Sequence, residues 1–560
     1  MSTSTRRRAT FTDRRFAFRM PSPSRVVWLE SVSALSAATA VALGISPAVA
    51  IWSLAVIAVL PFVAVAGRGV IDWLWTIARF VGRRVPDFGS TTHRTENDGR
   101  SFGVHWHGRQ ATCVLELAPP RGVVTKLGRS EARTDSLIDL AVLAECLRQH
   151  DISLSGIGVV SHGTRTDSGS PATDVYERLI GPLPAVATRR VWISVSLDIG
   201  SNRLAIDARG GGRTGAARAI GIATERVSRA LAGSGTNSRV LTSADIGSMA
   251  STLCRGVDAD ALTESWSAAP LPGVSTTGYG LDARRLDSAV LADVWSVPSV
   301  STTVSLRLTP GTGPDTVRVD GECRFVSRGP RPAPHIPGAV SMNGRHRESL
   351  LTSLPLGITA FGHEQPVREM SYERIGRLRL PVSGCGQLVG SDIAGLGIAV
   401  RVHGPDLATV LVSGELYLAQ QVVFRAVATG ARILIRTDRT HAWAPLVDSV
   451  ATPDRLSIEG GPFRTDVGFD VVVHDYVDAS LPADRRPHDG VTTMILTEHL
   501  PRTPMPDPDL SIVQPGATGD RVFVRTGSAD IELVLVTIAQ ETAFIGRPRS
   551  VRPVPAAQPG

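Results

Sequence analysis

"ELYLAQQVVFRAVATG", residues 415–430, runs directly into "ARILIRTD", residues 431–438, and this junction sets the architecture. The first piece carries apolar side chains at helical spacing and ends on Gly430, a residue type that closes helices. The second is a short apolar run of strand length. A helix feeding a strand recurs upstream, where "TGAARAIGIATERVSRALAG" (214–233) leads to "SRVLT" (238–242). Around these pairs lie further strand candidates, "ISLSGIGVVSHG" (152–163), "RRVWISVSLDI" (189–199), "VSTTVSLRLTP" (300–310), "GFDVVVHDYV" (468–477) and "VTTMILTEH" (491–499). "FGVHWHGRQATCVLELA" (102–118) alternates and predicts two strands around a His107–Gly108 turn. Leu137, Leu140, Ala141, Ala144 and Leu147 share one face of a predicted helix. Strands alternating with helices imply an α/β layer architecture. The Pro-rich "RGPRPAPHIPG" (328–338) is the strongest linker signal. It divides the body into a first α/β lobe at 101–327 and a second at 339–545, followed by a disordered tail at 546–560.

A different solvent is implied further upstream. Ser31 to Gly67 contains no charged residue over 37 positions, in a chain that is 20% charged. It is apolar around its whole circumference, whereas a helix on a soluble core keeps a polar stripe. With Val26 to Glu30 it supplies two crossings, at about 26–45 and 48–67, with Gly44, Ser46 and Pro47 at the turn. The expectation is an N-terminal two-helix transmembrane hairpin spanning 26–67. Cleavage after "AVA" (48–50) would leave a second apolar segment needing its own burial, which argues against a removed signal. Seven arginines within residues 1–25, and Arg68, Arg79, Arg83 and Arg84 after the spans, place both termini in the cytoplasm. Residues 68–100 then read as an amphipathic juxtamembrane segment and hinge, with Trp73, Trp75 and Phe80 as interface anchors.

The formal charge of +7 is concentrated around these spans, so it is topological and gives no reason to invoke nucleic acid. Cys113, Cys146, Cys254, Cys323 and Cys385 are scattered, odd in number and form no CxxC, as expected for buried free thiols in a reducing compartment. Gly210, Gly211, Gly212 and Gly215 precede a helix but lack the lysine and hydroxyl of a phosphate loop. Asp258 with Asp260, and Asp507 with Asp509, have the spacing to flank a divalent cation, yet such triplets recur by chance. His105 and His107 share a strand face without a third local ligand. No GxSxG or HExxH occurs. No cofactor, metal or catalytic residue is therefore assigned.

The double span, "FGVHWHG", "IDARGGGRTGAARAIGIATERVSRAL" with "RVLTSADI", "RESLLTSLPLG" and "GELYLAQQVVFRAVATGARILIRTDRTHAWAPLV" together resemble the EccE component of mycobacterial type VII (ESX) secretion systems. The resemblance covers most of 26–450 and is strongest in the last block, through Gln420, Gln421, Arg425, Ala426, Gly430, Ala431, Thr437, Arg439 and Trp443. It implies a non-catalytic structural membrane subunit of a bacterial inner-membrane protein secretion core complex. The implied partners are EccB, EccC (the ATPase) and EccD homologues, and the implied cytoplasmic body is like a degenerate glycosyltransferase. Small residues at Ala37, Ala38, Ala40 and Gly44 would let the spans pack on partner spans, while Arg425 and Trp443 are either partner contacts or structural. The alternative is a membrane-tethered glycosyltransferase-like enzyme acting on a nucleotide-sugar or lipid-linked substrate.

Overall fold

The computed structural model describes residues 88–546 apart from 96–100, 130, 168, 330–333, 359–366, 405, 451, 460–465, 476–489, 499–506 and 518, together with 16–18, 63–65, 68–82 and scattered positions between 31 and 52. In chain order the main elements begin with α1 (Val70–Val81), β1 (Ser90–Thr95), β2 (Ser101–His107), β3 (Gln110–Leu117), β4 (Val124–Leu127) and β5 (Ala132–Arg133). Next come β6 (Ile152–Thr164), α2 (Pro171–Ile180), β7 (Thr188–Asp198), α3 (Gly212–Gly233), α4 (Ser243–Leu253), β8 (Val274–Leu281), α5 (Ser288–Ser296), β9 (Ser301–Pro310), β10 (Thr316–Ser327) and α6 (His346–Thr352). The second half adds β11 (Gln387–Ser391), β12 (Gly397–Val400), β13 (Thr409–Ser413), α7 (Leu416–Ala428), β14 (Ile433–Thr437), α8 (Thr440–Val450), β15 (Leu456–Ile458) and β16 (Val471–Asp475). It closes with β17 (Thr492–Thr497), β18 (Leu510–Val513), β19 (Arg521–Thr526), β20 (Asp530–Leu535) and α9 (Ala539–Ile545).

Two large sheets organise these elements. The first runs β8-β10-β9-β6-β7-β3-β2-β1, with every neighbouring pair antiparallel. Helix α3 packs on one face through Ala216, Ala219, Ile220, Ala223 and Val227, while α4 and α6 cover the other through Ile246, Met249, Leu350 and Leu351. Covered on both faces, β6 and β7 bury residues of both parities, which is why they read as near-continuous apolar runs. The second sheet runs β15-β14-β16-β17-β13-β18-β19-β20-β11-β12-β4-β5, parallel from β15 to β18 and antiparallel beyond. The opening stretch forms α7 and β14, and α7 is buried around almost its whole circumference.

The sheets do not separate along the chain at 328–338. Strands β4 and β5 leave the first lobe's sequence to pair onto β12. Helix α2 packs into the core of the second sheet, where the Tyr176 hydroxyl accepts the Leu388 N–H at 2.7 Å. A local linker signal marks polar, Pro-rich chain, but burial of distant apolar faces decides which segments share a core. The helix expected around 137–147 is also shorter, spanning Leu140–Glu145, because Asp139 caps it by accepting from the Ala141 and Val142 N–H groups at 3.0 and 3.2 Å.

Most of the spans expected at 26–45 and 48–67 falls outside the described residues, Ala37 and Ala40 among them. Gly44 is described in a turn with φ +63°. Val63–Val65, at the end of the second expected span, instead form a short strand between Phe16–Phe18 and Arg68–Gly69. Among the described residues no helix is long and apolar enough to cross a membrane. Trp73 and Phe80, two of the three aromatic residues expected as interface anchors, pack on Trp266 of the body, each at a centroid distance of 5.6 Å, while the Trp75 side chain lies outside the described residues.

Candidate functional site

The two sheets meet across a cleft of about 870 Å³. One wall comes from the end of β3 (Glu116–Pro119), the start of β7 (Thr188–Arg190) and Ser238–Arg239; the other comes from Ser383–Gln387, Arg401–Gly404, Gly430 and Asp470. Its floor requires glycine. A Cβ on Gly384 would lie 2.2 Å from the Ala187 carbonyl oxygen, and Gly386 adopts φ +73°. That close approach lets the Cys385 and Gly386 N–H groups donate to the Val186 and Ala187 carbonyls at 2.8 and 3.0 Å. A second seam joins the Asp167 N–H to the Ala428 carbonyl at 2.9 Å, beside an Arg455–Asp167 ion pair.

The cleft is charged. Glu116 accepts from Arg190 Nε at 2.9 Å and Nη2 at 2.5 Å through one oxygen, and from Arg239 Nη2 at 2.5 Å through the other. Both arginine side chains are more than half exposed, at 53% and 55%. Arg401 pairs with Asp406 and donates to the Pro120 carbonyl at 2.7 Å. Burial, followed by smaller charge effects, holds the His403 imidazole below its ordinary pKa. Arg189 lies in the wall with its guanidinium 4.2 Å over the Trp295 ring, and burial pushes its pKa down to about 10. This arrangement presents the half-exposed side chains of Arg190 and Arg239 to an acidic or polar surface.

The residues that carried the resemblance converge on two other centres, both internal. Arg425 is 1% exposed; its Nε and Nη2 donate to Glu541 at 2.7 and 2.8 Å, and its Nη1 to the Leu388 and Val389 carbonyls at 2.8 and 3.1 Å. Gln421 reaches the same carboxylate and donates to Thr537 Oγ1 at 3.0 Å. The second centre is Asp475 at the carboxyl end of β16, 1% exposed. It accepts from Thr437 Oγ1 at 2.9 Å, Arg439 Nε at 2.9 Å and Trp443 Nε1 at 2.6 Å. Trp443 is fully buried. Arg425 and Trp443 thus spend their polar groups inside the chain and present no surface to a partner. Glu541 and Asp475 escaped the reading of the sequence, since neither stands in a local pattern with the residues it serves.

The remaining candidates do not assemble a catalytic set. Gly211, at φ +66°, caps α3, and a Cβ on Gly215 would lie 2.3 Å from the Ile206 carbonyl oxygen, so these glycines serve a tight helix–helix turn. Asp258 and Asp260 are exposed, whereas Asp509 accepts the Ala408 and Thr409 N–H groups at 2.7 and 3.0 Å at the start of β13. His105 is buried, with Nδ1 3.1 Å from Thr91 Oγ1, and His107 sits at the edge of the turn. Among the described residues no group of three His, Cys, Asp or Glu is placed to hold a metal ion. The five cysteines are free, and burial pushes the Cys113 thiol up to about 12.

Residues 185–281, which span β7, α3, α4 and β8, match the EccE family model, described as a "type VII ESX secretion system translocon". The chain is 26% identical over 494 residues to the ESX-2 secretion system protein EccE2 of Mycobacterium tuberculosis, covering 83% of this chain and 82% of that protein. It is 25% identical over 388 residues to the ESX-1 secretion system protein EccE1 of Mycolicibacterium smegmatis, covering 68% and 75% respectively. It is 23% identical over 305 residues to EccE5 of the Mycobacterium marinum ESX-5 system, covering 52% and 74%. With a family match over residues 185–281 and such relatives along most of its length, the chain is similar to the EccE proteins of ESX secretion systems.

Proposed function

We propose that this chain is a non-catalytic structural subunit of a type VII secretion membrane complex, bracing the assembly that exports small folded substrates. The observation that carries the reading is the likeness to EccE2 across 83% of the chain. The mechanics supply its physical side. Two sheets tied together because the first half of the chain contributes strand β4 and helix α2 to the second core, and stitched by backbone hydrogen bonds, resist sliding better than two beads on a linker would. The exposed Arg190 and Arg239 groups of the cleft remain accessible to an acidic neighbour. In this reading EccB, EccC and EccD homologues are the neighbours, and the uncharged run at 31–67 holds the chain in the bacterial inner membrane as a two-span anchor with both termini cytoplasmic. Nothing among the described residues favours the nucleotide-sugar alternative.

The test is affinity purification of the tagged full-length chain from detergent-solubilised bacterial membranes, with mass spectrometry of copurifying proteins. Recovery of EccB, EccC and EccD homologues is expected. Recovery of the chain alone, under conditions that keep other membrane assemblies intact, would overturn the reading. Metal-dependent turnover abolished by Asp258→Ala would establish the enzyme alternative instead.

A further inference from the structure

Helix α1 has two apolar stripes and the body covers one of them. Trp73 and Phe80 bracket Trp266, with interplanar angles of 31° and 85°. Thr76 between them is 2% exposed, and a Cβ added at Gly344 would lie 3.2 Å from its methyl carbon. Positions 73, 76 and 80 therefore dock the helix. On the adjoining stripe Leu74 is 57% exposed, Ile77 46% and Val81 77%, with Ala78 exposed beside them. Residues 74, 77, 78 and 81 follow the i, i+3, i+4, i+7 spacing of a single helical face. Three large aliphatic side chains aligned in water mark a surface that something covers.

We propose that this stripe lies in the headgroup–acyl boundary of an anionic membrane leaflet, while the Trp266 clamp fixes the leaflet's height relative to the body. Two observations select lipid as the occupant. The uncharged run ends at Gly67, three residues before α1 begins, so the helix starts where the chain would leave hydrocarbon. Residues 68–86 contain Arg68, Arg79, Arg83 and Arg84 against a single acid, Asp72, and an apolar stripe within a basic segment has the composition of an interfacial helix on anionic lipid. The sequence alone assigned the aromatic residues to the membrane; their contacts with Trp266 leave that role to the aliphatic stripe instead.

The inference rests on the membrane-subunit reading, and the experiment separates the two. The full-length chain is reconstituted into phosphatidylglycerol–phosphatidylcholine vesicles with a spin label at Ile77→Cys, or at Leu204→Cys as an aqueous reference that is 88% exposed. The native cysteines are buried or half-buried, and the parent chain sets the labelling background. Flotation with the vesicles is scored first. For floated protein, collision of the Ile77 label with a water-soluble nickel chelate is expected to fall roughly threefold or more below the Leu204 label, while collision with oxygen rises. Adding Leu74→Glu and Val81→Glu should restore nickel access without moving the unfolding temperature, because neither side chain belongs to the Trp266 clamp. Failure to float would remove the membrane reading together with this inference. Flotation with equal nickel access at both labels would overturn the inference alone. Dipolar broadening between labels at 77 in the floated protein would place two stripes face to face, assign the surface to a second copy of the chain and overturn the inference as well.

Discussion

Two carboxylates, Glu541 and Glu116, each gather arginine donors, and they do different things. Glu541 and Arg425 are both 1% exposed, so each charge has given up its water and depends on the other. Glu116 shares Arg190 and Arg239, whose guanidiniums remain more than half in solvent. Removing one member of a sealed pair strands an uncompensated charge in a medium that cannot solvate it, whereas water replaces a lost partner at the surface. The comparison teaches that a charged residue is available to a partner only if the fold leaves it wet.

The sharpest way to break this contrast is Glu541→Ala, which should destabilise the protein by about 3–5 kcal/mol, read as a lower unfolding midpoint of the detergent-solubilised chain. An unchanged midpoint would mean that the pair contributes no net stability. Trp443→Phe removes one of the donors on buried Asp475 while nearly conserving volume, and a loss of about 1.5–3 kcal/mol is expected. Gly384→Ala drives a methyl against the Ala187 carbonyl; about 1–3 kcal/mol is expected, with increased hydrogen exchange at the Cys385 and Gly386 amides locating the damage at the seam. Glu116→Gln should change stability by no more than about 1 kcal/mol. A loss as large as that of Glu541→Ala would erase the distinction drawn here.

A pH slope applies the same contrast to a buried histidine. Burial, then the charges of Arg324 and Arg190, hold the His162 imidazole down to about 3, with Nδ1 2.9 Å from Thr303 Oγ1. An imidazole kept neutral in the fold binds its proton more readily in the unfolded chain. Its contribution is therefore fully present above the ordinary histidine range and is lost as pH falls from about 6.5 toward 3. His162→Gln should flatten the fall in stability across that window in a series of denaturant titrations.

Local pattern carried much of the fold into view. The α7–β14 junction, the Gly-bounded helix α3 and the β2–β3 turn at Gly108 are all set by residues within one element of each other. What the pattern lacked was partner choice. Arg425 and Glu541 are 116 positions apart, so no spacing rule connects them, and Asp475 likewise lies more than thirty positions from Thr437, Arg439 and Trp443. The direction of the strands was equally hidden. Alternating helices and strands are compatible with both the antiparallel first sheet and the parallel run from β15 to β18.

Strands β4 and β5 bear on how the molecule is born. Residues 124–133 leave the ribosome more than 250 positions ahead of β12, the strand that receives them. At about 5–20 residues per second that gap lasts on the order of ten to sixty seconds. During it Val124, Leu127 and the apolar face of α2 have no core to enter. A nascent chain already held at a bilayer would wait beside a surface that competes for those same side chains. Its yield would then depend on holding chaperones and on the pace of translation through the second half, with synonymous codon changes there altering the folded fraction while leaving every contact described above intact.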